Sequence, residues 1–135
     1  MSPDRDPSHP RSWLRRARSN LARARCLAGQ PEVLYEDLCF DAQQAAEKAL
    51  KAVLVHRRAA LRKTHALAEL LTLVGKVGVN VPPEIEEAAL LTPYAVEARY
   101  PGLWEEVTAA DHEEAVRVAE RVVRWAEVLV EERET

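Results

Sequence analysis

The run VLYEDLCFDAQQAAEKALKAVLVHRR, residues 33–58, decides the fold. It contains neither proline nor glycine and is built largely from alanine, leucine, glutamate, lysine and glutamine, all strong helix formers. Leu38, Ala42, Ala45, Ala49, Ala52 and Val53 recur at helical spacing. The middle of that stripe is small enough for another helix to approach closely, and Phe40, Leu50 and Leu54 widen it. The pattern predicts a helix from about Val33 to Arg58 that packs on two sides.

Upstream, Leu14, Ala17, Leu21, Ala24 and Ala28 predict a helix over 12–28, with Ser12 as N-cap and Gly29 and Pro31 as stop signals. The preceding residues 1–11 carry Pro3, Pro7 and Pro10 among polar residues and are expected to form a disordered tail. Downstream, a basic joint from Arg57 to Lys63 leads to a third helix, His65 to about Lys76, capped by Thr64. Leu67, Leu70, Leu71 and Val74 face inward there, and Gly75 and Gly78 mark its end. Pro82 and Pro83, followed by Glu84, Glu86 and Glu87, open a short fourth helix that ends or kinks before Pro93. Tyr94 to Trp104 should begin helical and leave as a loop at Pro101 and Gly102. A last helix starts near Asp111 as N-cap and runs to about Arg133. One face carries Ala115, Val118, Ala119, Val122, Trp125, Ala126 and Leu129, and a second stripe carries Val116, Val123 and Val130. A helix apolar on two sides wants two neighbours, which makes a homodimer the default expectation. The fold class expected is an all-α, up-and-down bundle of four to five helices forming one domain, 12–133.

Composition agrees with that class and excludes others. Hydrophobic residues make up 47% and charged residues 30% of the 135, which excludes global disorder, and four glycines leave too few turns for an all-β fold. No stretch approaches the ~18 uninterrupted apolar residues of a membrane span, and the N-terminus has no apolar signal region, so a cytoplasmic protein without membrane contact is expected. Cys26 and Cys39 form no motif and read as buried structural thiols. Charge is asymmetric: residues 1–65 hold 13 basic against 7 acidic side chains, and residues 66–135 hold 6 against 15. Arg11, Arg15, Arg18 and Arg25 share one stripe of the first helix, with Arg16 and Arg23 beside it. Such a face serves phosphates, or attraction within the chain or between subunits.

No phosphate-binding glycine loop, His-Glu-x-x-His, nucleophile elbow or cluster of metal ligands occurs, so neither metal nor cofactor is expected. The histidines are scattered, and His112, opening the last helix, reads as a cap or a solvated side chain. One constellation stands out. Gln43 and Glu47, and likewise Gln44 and Lys48, stack one turn apart beside the core stripe, and polar groups there need partners. Arg99, in the stretch Glu97-Ala98-Arg99-Tyr100-Pro101, offers a five-donor fork suited to carboxylate or phosphate. The expectation is that Arg99 meets this group, as a structural Glu47–Arg99 clasp or as part of a ligand site.

The run Phe40-Asp41-Ala42-Gln43-Gln44-Ala45-Ala46-Glu47-Lys48-Ala49-Leu50-Lys51-Ala52, then Thr64-His65-Ala66-Leu67, then Ala98-Arg99-Tyr100-Pro101, resembles the HEPN domain family in order and spacing across residues 12–133. The resemblance implies an all-α bundle, usually dimeric, named for nucleotide binding and frequently encoded beside a minimal nucleotidyltransferase. Many relatives are metal-independent ribonucleases with an arginine, four to six intervening residues and a histidine. Here Arg99 takes the arginine's place, but Trp104, Glu105 and Glu106 stand where the histidine would be. A glutamate would substitute only if burial raised its pKa. Arg58 and His65 have six residues between them, yet they lie in the joint before the third helix, away from the family motif.

The resemblance therefore implies a dimeric nucleotide- or RNA-binding protein without ribonuclease activity. Its expected ligand-binding residues are Gln43, Gln44, Glu47, Lys48, Arg99 and Tyr100, and its expected partners are a second copy and a minimal nucleotidyltransferase. The alternative is a metal-independent, toxin-like ribonuclease in which Arg99 works with His65 or His112 brought from elsewhere in the fold.

Overall fold

A computed structural model describes residues 5–131. The described chain is helical throughout its regular elements: α1 (Pro10–Cys26), α2 (Tyr35–His56), α3 (Leu67–Lys76), α4 (Pro83–Glu86) and α5 (Ala109–Glu131), with two 3₁₀ stretches, Glu87–Ala95 and Glu97–Arg99, between α4 and α5. This is the expected all-α up-and-down bundle. The central helix is α2, which packs against α1, α5, α3 and both 3₁₀ stretches. Its alanines explain why. Ala42, Ala45, Ala46, Ala49 and Ala52 are fully buried, so neighbouring helices close in from several sides, while Leu38, Leu50, Val53 and Leu54 fill the space between them.

Three helix starts differ from those the sequence suggests, two earlier and one later. Helix α1 is capped by His9, whose Nδ1 accepts from the Arg11 amide at 3.2 Å, and Pro10 occupies the first helical position. Ser12 is instead buried inside the helix, where its hydroxyl and carbonyl oxygens hold the Arg16 guanidinium at 2.8 and 2.9 Å. Of the tail expected over 1–11, residues 1–4 lie outside the described residues; beyond them, Pro7 accepts a hydrogen bond from Trp13 Nε1 at 2.8 Å. Helix α5 begins after Thr108, not at Asp111. Thr108 Oγ1 accepts from the Asp111 amide and Asp111 Oδ2 from the Thr108 amide, a reciprocal capping box. The expected end of this helix at Arg133 lies outside the described residues. Helix α3 starts at Leu67, two residues late, because Thr64 Oγ1 accepts from Ala66 N and Thr92 Oγ1, from the 3₁₀ stretch, accepts from Leu67 N.

Helices α2 and α3 end in the same backbone motif with different residues. After α3, Gly78 takes φ +90°, and the Gly78 and Val79 amides donate to Gly75 and Val74. After α2, Arg58 takes φ 58°, and the Arg58 and Ala59 amides donate to Val55 and Leu54. A left-handed conformation costs a non-glycine residue roughly 1–2 kcal/mol. Arg58→Gly is therefore expected to raise stability by about 1 kcal/mol in urea unfolding; an unchanged or lowered midpoint would show that the arginine side chain offsets its own strain.

Part of the charge asymmetry is matched inside the molecule. Arg18 pairs with Glu127 at 2.9 Å and Glu131 at 2.6 Å, and Arg25 with Glu120 at 2.6 Å, so the arginine face of α1 is zipped to the acidic face of α5. These pairs are largely exposed, each worth about 0–1 kcal/mol, and set register more than stability. His112 corrects another expectation. It is buried, stacks on Tyr35 with ring centroids 5.6 Å apart, and places Nε2 2.8 Å from the Ala24 carbonyl, tying α5 to the last turn of α1. Of the two cysteines, Cys39 is buried as expected, with burial pushing its thiol up to about 12, but Cys26 is exposed at the end of α1.

Candidate functional site

The polar residues of α2 divide into two adjoining groups. One is centred on Glu47, which is 3% exposed. Burial alone would raise its pKa, but donors from His65, Lys51 and Gln43 outweigh that and hold the carboxyl below its usual value. The geometry is complete: Glu47 Oε2 lies 2.9 Å from Lys51 Nζ, and Oε1 lies 2.8 Å from His65 Nδ1 and 3.1 Å from Gln43 Nε2. Gln43 also donates to the His65 carbonyl at 3.3 Å and accepts from Gln44 Nε2 at 2.8 Å. Glu47 thus fastens the joint before α3 onto α2. It leaves the imidazole ring of His65 largely exposed, held by one nitrogen.

Arg99 is not part of that group. The expected Glu47–Arg99 clasp is not made; Arg99 donates to Asp37 Oδ1 at 3.3 and 3.4 Å and lays its guanidinium over Phe40, 4.1 Å from the ring centroid. The reason is placement. Asp37 and Phe40 sit in the first turns of α2, nearest the second 3₁₀ stretch that carries Arg99, whereas Glu47 lies two to three turns further along.

Arg99, Gln44 and Lys48 line one open groove of about 570 Å³. Its walls include Asn20 and Arg23 from α1, Leu27 just after that helix, Asp37, Phe40, Asp41, Gln44 and Lys48 from α2, and Arg99. Lys48 Nζ sits 2.7 Å from Asn20 Oδ1, a neutral acceptor; Asn20 Nδ2 in turn donates to Asp41 Oδ1 at 3.0 Å, and Asp41 Oδ2 lies 3.5 Å from Arg23 Nε. Burial pulls the Lys48 pKa down, the carboxylates of Glu47 and Asp41 pull it up, and the charge of Arg16 adds to the lowering, which prevails. A half-buried ammonium whose nearest partner is an amide is electrostatically unfinished, and an anion in the groove would complete it.

Asn20 and Asp37 escaped sequence reasoning; Arg23 entered it only as part of the arginine face of the first helix, and Asp41 only within the run that carries the family resemblance. Tyr100 is exposed and lines a shallower concavity with Asp37 and Arg99. Glu105 and Glu106, at the histidine's spacing from Arg99, line a separate concavity with Tyr100 and Trp104; both are exposed, so the burial that acid–base chemistry would need of them is missing. Among the described residues no three or more His, Cys, Asp or Glu side chains gather as metal ligands, and no helix is long and apolar enough to cross a membrane.

Comparison with known proteins agrees with this architecture. A family model for the HEPN domain matches residues 10–129. Among solved structures, one described as the crystal structure of an archaeal HEPN homologue superposes with a TM-score of 0.73 at 28% sequence identity, covering 90% of this chain and 97% of its own. No curated protein matches. A match over almost every described residue, joined to the same all-helical fold, leads to one conclusion: the chain belongs to the HEPN domain family.

Proposed function

We propose that this protein binds the phosphate of a nucleotide or RNA in the α1–α2 groove and does not cleave it. The observation that carries the reading is Lys48, a half-buried cation facing a neutral amide, with Arg99 and Arg23 on the same walls. Gln44 and Asn20 add neutral donors, and a phosphate displacing Asp37 from Arg99 would gain two parallel N–H donors. Gln43 and Glu47 act one layer behind, positioning Gln44 and the joint. The family's usual assembly belongs to the proposal: a homodimer, supported by exposed Val128 beside half-buried Trp125 and Leu129 on α5, and a minimal nucleotidyltransferase as partner.

A ribonuclease reading draws on one observation, the carboxylate-held imidazole of His65, which resembles an acid–base residue oriented by its neighbour. One experiment separates the two. Labelled RNA is titrated with protein in EDTA, and both anisotropy and chain length are followed. Binding without cleavage is expected. Lys48→Gln, which keeps a donor for Asn20, and Arg99→Ala should each weaken binding about 10-fold, about 1.4 kcal/mol. Asp41→Asn, which removes a carboxylate from the groove, should tighten it several-fold. Affinity indifferent to all three would end the groove reading, and cleavage abolished in His65→Ala would establish the ribonuclease.

A further inference from the structure

Between the second 3₁₀ stretch and α5 the chain turns sharply. Pro101 and Gly102 stand at the corners of a turn in which the Leu103 amide donates to the Tyr100 carbonyl at 3.2 Å, and Gly102 takes the left-handed φ of +83° that suits its corner. Ala98 before the turn and Val107 after it are buried and anchor the loop. The side chains between them stay outside the core: Tyr100, Leu103 and Trp104 are exposed, as is Leu34 at the N-cap of α2. Leu34, Tyr100 and Trp104 line a concavity of about 290 Å³, and Glu36, Glu105 and Glu106 line it with them. It shares no lining residue with the α1–α2 groove.

Carboxylates alone would make an ordinary solvated edge, but these meet two aromatic rings. The same fold shows twice what completes such a pair. Arg99, which precedes Tyr100, lies over Phe40 at 4.1 Å from the ring centroid and donates to Asp37, which follows Glu36. Lys51 lies 5.6 Å from the centre of the Trp13 ring and 2.9 Å from Glu47. In both places one cation serves a ring and a carboxylate together, since the negative face of the ring and the anion both attract it. The concavity offers the two components without the third. Among the described residues no lysine or arginine lines it, none of its three carboxylates pairs with a cation, and neither ring is stacked on another ring or a cation.

The cation that fits best is a guanidinium carried by another protein. A guanidinium is planar, stacks on aromatic rings and forks onto carboxylates, where an ammonium acts as a point charge. The exposed Leu34, and Leu103 next to Trp104, add apolar contact that a free small cation would not use. Exposed tyrosine and tryptophan in an apolar patch with a charged rim have the make-up of a protein-binding surface. We propose that this concavity docks a basic segment of a partner protein, one of whose arginine side chains lies against Tyr100 and Trp104 and is held by Glu36, Glu105 and Glu106.

The test titrates the full chain, labelled with nitrogen-15, with the capped peptide Gly-Leu-Arg-Leu-Gly and with the same peptide carrying citrulline, which keeps the shape of arginine without its charge. The indole N–H signal of Trp104 is assigned by its loss in Trp104→Phe. That signal should move saturably with the arginine peptide, while those of Trp13 and Trp125 stay in place. The citrulline peptide, and methylguanidinium on its own, should each bind about 10-fold more weakly. A Glu105→Gln, Glu106→Gln double variant with an unchanged helical spectrum should lose about 10-fold in affinity for the arginine peptide. A Trp104 signal unmoved at about 5 mM peptide, weaker than any useful docking, overturns the proposal, as does citrulline binding as tightly as arginine. Methylguanidinium bound as tightly as the peptide would make this a site for a free small cation. A Trp104 signal that moves with protein concentration alone would give the surface to a second copy. Either result overturns the partner segment.

Discussion

Glu47→Ala is expected to lower the stability of the domain by about 3 kcal/mol, the lower end of what breaking a buried ion pair costs. The carboxylate is 3% exposed and serves three donors at once, from Lys51, His65 and Gln43. Removing it leaves the Lys51 ammonium in a site where its side chain is 13% exposed, with the aromatic ring of Trp13 5.6 Å away as its other neighbour. Gln43, fully buried, loses one acceptor but keeps the His65 carbonyl. For a chain of this size about 3 kcal/mol corresponds to a melting point lower by roughly 10 °C. Glu47→Gln, similar in shape, should cost less and serves a second purpose. Because the folded-state pKa of Glu47 lies below its ordinary value of 4.5, its contribution is complete above that pH and is lost as pH falls through the lowered value. The stability gap between the native chain and Glu47→Gln should therefore be constant near neutrality and narrow as the solution is acidified below about 4.5. A gap that does not change with pH would mean that the carboxylate acts there by shape alone.

The same residue shows how far sequence carried the reading. Glu47 was recognisable as a polar group beside a core stripe, because a helix with a period of 3.6 fixes which residues share its faces. Its partners were only half legible. Lys51, four residues on, follows the favourable Glu-to-Lys order on one helix face and was available from spacing alone. His65 was not, since the reach of the joint before α3 depends on Arg58 turning the chain left-handed, a conformation that no residue other than glycine or asparagine advertises. Arg99 illustrates the converse. A guanidinium matches any carboxylate, so sequence matched Arg99 to Glu47 or a ligand and passed over Asp37, the acid beside which the second 3₁₀ stretch places it. The caps moved for a related reason. Ser12 and Asp111 carry suitable side chains, but His9 and Thr108 sit where the backbone first turns, and a capping box uses Asp111 from its third position.

Leu50→Ala is expected to cost about 3 to 4 kcal/mol, an effect as large as loss of the buried carboxylate, and its size follows from what surrounds it. Truncating a buried leucine removes its transfer free energy and leaves a cavity, together roughly 2–5 kcal/mol depending on how far the site can collapse. Collapse is limited here. The neighbours of Leu50 on its own helix, Ala46, Ala49, Val53 and Leu54, are already fully or almost fully buried, and alanines have no side-chain freedom with which to fill a gap. Nor does a buried aromatic share the load: Trp13, Tyr35, Phe40, Tyr94 and Trp125 are all only partly covered, so the largest fully enclosed apolar side chains are leucines and valines. A core of small residues brings helices close and makes each of its few large members expensive to lose. The comparison with Ala49→Leu supplies the check from the other direction, since added bulk in a close helix crossing should cost about 1–3 kcal/mol through strain. If Leu50→Ala were to cost less than about 1.5 kcal/mol in denaturant unfolding, the helices around α2 would have to close over the void, and the tight alanine-mediated packing that positions Gln44, Lys48 and Arg99 around their groove would not be as rigid as its burial implies.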